Sequence, residues 1–143
     1  MKKELVRDWM SKKLITISPD TTLPEAHRLM SDHDIRRLPV INNNQLVGML
    51  TLGDVRGAEP SEATSLSIWE VNYLLAKMKI NQTMTPSPIT IAEDATIAAA
   101  AKVMLDHKIS GLPVVNNIDD VIGVITESDI FRMIVNDWHQ NHP

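Results

Sequence analysis

The chain has 143 residues, a net charge of −4 and no cysteine, which suits one compact domain or two small halves sharing a core. The acidic balance argues against nucleic-acid binding, which needs a basic face to release phosphate counterions. Without thiols there are no disulfides, no thiol catalysis and no zinc–thiolate sites, a composition that fits a reducing, cytoplasmic compartment.

In chain order, Met1 to Asp8 carries lysines but no apolar run of the kind a signal peptide needs. The longest apolar stretch, Ile97 to Val103, is far too short to span a bilayer, so no membrane association is expected. A short extended piece, Leu14 to Ile17, ends in a Pro19-Asp20 turn. A helix is predicted next, with Thr22 at its N-terminus and Leu23, Ala26, Leu29 and Met30 along one face. Leu38-Pro39-Val40-Ile41 reads as a buried strand, with the proline near its start. Asn42 to Asn44 is turn chemistry. A second strand, Leu46 to Leu50, then runs into Thr51-Leu52-Gly53-Asp54 and a closing helix.

The same order returns about 74 residues later. Met10 matches Met84, Thr16-Ile17 matches Thr90-Ile91, and Thr22 matches Thr96. Leu38-Pro39-Val40 matches Leu112-Pro113-Val114. After one inserted residue Gly48, Thr51 and Asp54 match Gly123, Thr126 and Asp129. A register this long marks an internal duplication. The expected organisation is a first βαββα repeat over 1–57, a linker with a helix over 58–78, a second repeat over 79–137 and a tail over 138–143. Within the linker, Leu66 to Met78 is apolar on more than one side, which suits either packing across both repeats or a dimer face.

The chemistry concentrates at Thr51-x-x-Asp54 and Thr126-x-x-Asp129, each where a strand gives way to a helix. Free N–H groups at a helix start favour an anion. A threonine hydroxyl can donate to phosphate, and an aspartate can accept both hydroxyls of a ribose. Thr-x-x-Asp is equally a plain capping arrangement, and a duplication copies caps as faithfully as sites. No serine has a nucleophile-elbow context, no Walker-type loop occurs, and no carboxylate pair is expected, so an enzyme is not predicted. The five histidines show no metal-ligand spacing.

The Leu-Pro-Val strand followed by Gly-x-x-Thr-x-x-Asp-Ile/Val, present twice between about Val6 and Val135, resembles the cystathionine-β-synthase (CBS) domain in tandem. The resemblance implies an α+β fold, with two βαββα repeats packed sheet to sheet about a pseudo-twofold axis and a cleft on either side. It implies a regulatory module that binds AMP, ADP, ATP or S-adenosylmethionine, requires no cofactor, forms a homodimer and acts on a further protein. A structural dimerisation module with empty or vestigial clefts is the alternative. By resemblance Asp54 and Asp129 take ribose, and Thr51 and Thr126 take phosphate. Thr16-Ile17 and Thr90-Ile91 edge the adenine pocket. Arg36 and Arg37 serve the Thr126/Asp129 cleft, whereas His107, Lys108 and Ser110 serve the Thr51/Asp54 cleft. Because arginine is a permanent bidentate cation, the cleft served by Arg36 and Arg37 is expected to favour a phosphorylated ligand.

Overall fold

The structure, a computed structural model, describes residues 3–59 and 65–143. Pro60 to Thr64, within the expected linker, lie outside the described residues. The elements are α1 (Val6–Trp9), α2 (Leu23–His33), β1 (Arg37–Asn42), β2 (Gln45–Thr51), α3 (Leu52–Ala58), α4 (Ile68–Lys77), α5 (Ile80–Thr83), β3 (Thr85–Pro86), β4 (Ile91–Ala92), α6 (Ile97–His107), β5 (Gly111–Val115), β6 (Val121–Thr126) and α7 (Glu127–Asn141). The fold is α+β, with two three-stranded sheets in the orders β1-β2-β3 and β4-β5-β6.

The chain divides into two compact units that do not follow chain order. One is Ile15–Pro88. The other combines Met1–Leu14 with Ile89–Pro143. The segment that opens each repeat therefore belongs to the unit built by the other repeat. Val6 of α1 is wholly buried with Ile97, Leu112 and Ile125. Its counterpart Ile80 of α5 is wholly buried with Leu23, Leu38 and Leu50.

Within the Ile15–Pro88 unit, β1 and β2 form a hairpin with Arg37 opposite Thr51 and Val40 opposite Gly48. Ile17 lies parallel to β1 through a bridge to Val40, donating to the Pro39 carbonyl and accepting from Ile41 N–H. On the other side β3 pairs with β2, setting Pro86 opposite Gly48. Leu23, Ala26 and Met30 of α2 cover the sheet, and Thr22 caps the helix by accepting from Glu25 N–H at 3.3 Å.

The second unit repeats this plan. β4 runs parallel to β5, with Ile91 beside Val114, and β5 pairs with β6. Ser11 takes the place of β3 against Val124, exchanging two backbone hydrogen bonds of 2.9 and 3.2 Å. Thr96 caps α6 through Ala99 N–H at 3.0 Å. Both repeats carry a β-bulge after the equivalent valine, Val40 or Val114. Pro39 and Pro113 stand third in their strands and are buried.

Two details at helix ends go beyond the sequence reading. The helices α2 and α6 end on Asp34 and Lys108 in the left-handed conformation, with φ of 52° and 54°, where glycine or asparagine is the usual choice. The segment 138–143, expected as a tail, is helical to Asn141. There the Trp138 and His142 rings stack at 3.6 Å, and His142 Nδ1 lies 3.0 Å from the Trp138 carbonyl oxygen.

Candidate functional site

Each Thr-x-x-Asp corner sits where the second strand of a hairpin ends and a helix begins. At the first corner, Thr51 Oγ1 accepts from Asp54 N–H at 3.1 Å, and Asp54 Oδ2 accepts from Thr51 N–H at 2.9 Å. This reciprocal cap satisfies two backbone donors that the helix start would otherwise leave open. At the second corner Asp129 Oδ2 accepts from Thr126 N–H at 2.9 Å and from the Thr126 hydroxyl at 3.3 Å. Both corners are thus closed caps.

They differ in how deeply the carboxylate is held. Asp129 is 7% exposed, the one buried charged residue among the described residues. Burying a carboxylate is tolerable only when its oxygens are hydrogen-bonded. Oδ1 meets that need through the Arg132 guanidinium at 2.9 Å, so both oxygens are engaged. Asp54 is half-buried, and the residue equivalent to Arg132 is Gly57. Arg132 lies outside the residues expected from the sequence, although its spacing of three after Asp129 on a helix is a legible pairing signal.

The segments before the Leu-Pro-Val strands are tied to their own corners. The Arg36 carbonyl accepts from Leu52 N–H at 2.9 Å and Arg37 lies opposite Thr51. The Ser110 carbonyl accepts from Glu127 N–H at 3.0 Å and Gly111 lies opposite Thr126. Arg36 is exposed and Arg37 half-buried. Lys108 caps α6 directly after His107, and both are exposed. Thr16 and Thr90 are exposed beside Ile17, which is buried, and Ile91, which is half-buried. Within one unit the structure therefore gathers Thr16, Ile17, Arg36, Arg37, Thr51 and Asp54. The other unit gathers Thr90, Ile91, His107, Lys108, Ser110, Thr126 and Asp129.

Taken together, the duplicated strand–helix corner, the Leu-Pro-Val hairpin and the exchanged opening segment define a class of paired α+β module. The family profile of the CBS domain matches residues 6–61 and 78–136, and the chain belongs to this family. A CBS domain-containing protein of Dictyostelium discoideum is 34% identical, the match covering 93% of this chain and 92% of that one. An inosine-5'-monophosphate dehydrogenase of Korarchaeum cryptofilum is also 34% identical over 92% of this chain, which spans only 23% of that enzyme. Among solved structures, the CBS domain pair of protein MJ0100, in complex with 5'-methylthioadenosine and S-adenosyl-L-methionine, superposes with a TM-score of 0.77. It is 30% identical, over 93% of this chain and 97% of that one. CBSX2 in complex with AMP gives a TM-score of 0.75 at 27% identity, covering 94% and 98% of the two chains. Among the described residues, no helix is long and apolar enough to cross a membrane.

Proposed function

We propose that the chain is a regulatory sensor, not an enzyme, whose Thr-x-x-Asp corners bind an adenosine-type ligand: AMP, ADP, ATP or S-adenosylmethionine. The observation that carries this reading is the pair of threonine–aspartate corners, each a carboxylate and a hydroxyl beside a helix start. The ligands of the MJ0100 pair and of CBSX2 share an adenosine group, which supports the same ligand class here. Asp54 and Asp129 would take the ribose hydroxyls, and Thr51 and Thr126 the phosphate. Thr16-Ile17 and Thr90-Ile91 would flank adenine.

The Thr126/Asp129 corner is the preferred phosphate site. Arg132 strengthens that ranking, because a diol that takes Asp129 Oδ1 releases an exposed guanidinium beside the phosphate. The first corner has Gly57 there and gains no such cation. A ligand acts on a partner only through its different affinity for two states of the sensor. A second reading, a structural dimerisation module, draws support from the caps, which satisfy Thr51, Asp54, Thr126 and Asp129 with no ligand.

Thermal melting with millimolar AMP, ADP, ATP and S-adenosylmethionine separates the two. A ligand at about 100 times its Kd adds roughly 2.7 kcal/mol, a rise of about 9 °C for a domain of this size. A flat response to all four would favour the structural module. Asp129→Asn keeps an oxygen for the cap and should weaken nucleotide binding more than Asp54→Asn does, by about tenfold or more in calorimetric titration. Equal losses would overturn the ranking of the corners. Arg37→Ala should weaken AMP or ATP binding while leaving adenosine nearly unchanged. If adenosine suffers equally, Arg37 is not a phosphate contact.

A further inference from the structure

The Asp129 carboxylate offers about four acceptor positions, and most are taken. Oδ2 accepts from Thr126 N–H at 2.9 Å and from the Thr126 hydroxyl at 3.3 Å, and Oδ1 accepts from the Arg132 guanidinium at 2.9 Å. The two hydroxyls of a cis-diol need two positions, so a ribose enters only by displacing a donor already there. Arg132 is the donor in its way. The Asp129 side chain is 10% exposed and that of Arg132 is 68% exposed, which puts the guanidinium on the solvent side of the carboxylate.

What the displaced guanidinium meets next depends on the charge of the ligand. Long side chains on a helix lean toward its N-terminus, so Arg132 stays over the first turn of α7, where the helix start favours an anion. A phosphate there replaces the lost bond with another charge-assisted one and can take it bidentately. An uncharged nucleoside replaces nothing, and its diol bears the full cost of breaking the ion pair. At the first corner Gly57 holds the equivalent position, and without a side chain it cannot cover Asp54 in this way.

We propose that Arg132 is a specificity latch on the Thr126/Asp129 corner: it holds Asp129 shut against uncharged adenosine ligands and yields to phosphorylated ones, whose phosphate takes over the guanidinium. The proposal rests on the adenosine reading of that corner. The latch works against binding until a phosphate arrives, so removing it has opposite effects on the two ligand classes. The Thr51/Asp54 corner lacks the latch and does not discriminate by this means.

The test is calorimetric titration of the whole chain with AMP and with adenosine, one corner at a time. An Asp54→Asn parent weakens the first corner and leaves the second to be read, with and without Arg132→Met, which keeps the length and helix preference of arginine but no donor. The substitution should weaken AMP about fivefold, through the lost phosphate contact. It should tighten adenosine about two- to fivefold, the worth of an exposed ion pair no longer to be broken. A folding defect lowers both affinities together and cannot produce opposite shifts. The reverse experiment uses an Asp129→Asn parent with Gly57→Arg, where an added side chain meets nothing within 4 Å. It should tighten AMP and weaken adenosine at the first corner. If Arg132→Met lowers both affinities alike, or changes neither, Arg132 is no latch, and the adenosine reading stands without it. If neither parent binds either ligand, the adenosine reading falls and takes the latch with it.

Discussion

Ile80→Ala should destabilise the unit built by the first repeat, although Ile80 lies at the start of the second. The side chain is wholly buried against Leu23, Leu38 and Leu50, and truncating such a residue to alanine costs about 2–5 kcal/mol through lost transfer energy and the cavity left behind. Native-state hydrogen exchange gives the location as well as the size. Amides of β1 and β2 should lose protection, while those of β5 and β6 keep most of theirs if the units open separately. Val6→Ala should do the reverse, with a smaller loss because fewer methyl groups are removed. Loss of protection centred on β5 and β6 in Ile80→Ala would contradict the exchange of opening segments.

The second large effect is expected at Gly123. A methyl group there would lie 2.5 Å from the Ser11 carbonyl oxygen and 3.1 Å from Met10 Sδ. Ser11 is held by its two hydrogen bonds to Val124, so the obstacle is backbone and cannot rotate away. Gly123→Ala should cost about 2–3 kcal/mol and loosen the strand that docks α1. At the equivalent Gly48 the obstacle is the Met84 side chain, which has three rotatable bonds with which to yield. Gly48→Ala should therefore stay within about 1 kcal/mol. Denaturant midpoints of the two variants decide the matter, and equal losses would mean that Ser11 moves as easily as a methionine side chain.

Much of this is legible from residues alone because the repeat reads each element twice. The threonines before α2 and α6 cap as their chemistry requires, and the Leu-Pro-Val strands pair with the glycine-bearing strands in equivalent registers. The corners are legible as both cap and site, and the cap is realised in both. What the residues do not announce is mostly non-local or small. The four-residue helices α1 and α5 each fully bury one apolar residue in a core assembled from distant chain, and a pattern so short has no periodicity to detect. The pairing of Arg132 with Asp129 falls just beyond the Thr-x-x-Asp motif, which ends at the aspartate. The left-handed ends at Asp34 and Lys108 break the glycine preference.

The placement of Val6 beside Ile97 also has a temporal side. In a chain made from its N-terminus, α1 emerges roughly 90 residues before the helix against which it packs, a wait of about 5–20 s at ordinary elongation rates. During that interval its apolar face has no seat. The first unit, by contrast, is ready to close as soon as Pro86 leaves the ribosome, since its last strand comes directly after Ile80. Synthesis therefore imposes an order on two otherwise matched halves: the Ile15–Pro88 unit matures while the nascent chain is still growing, and the other must wait until both of its ends have been made.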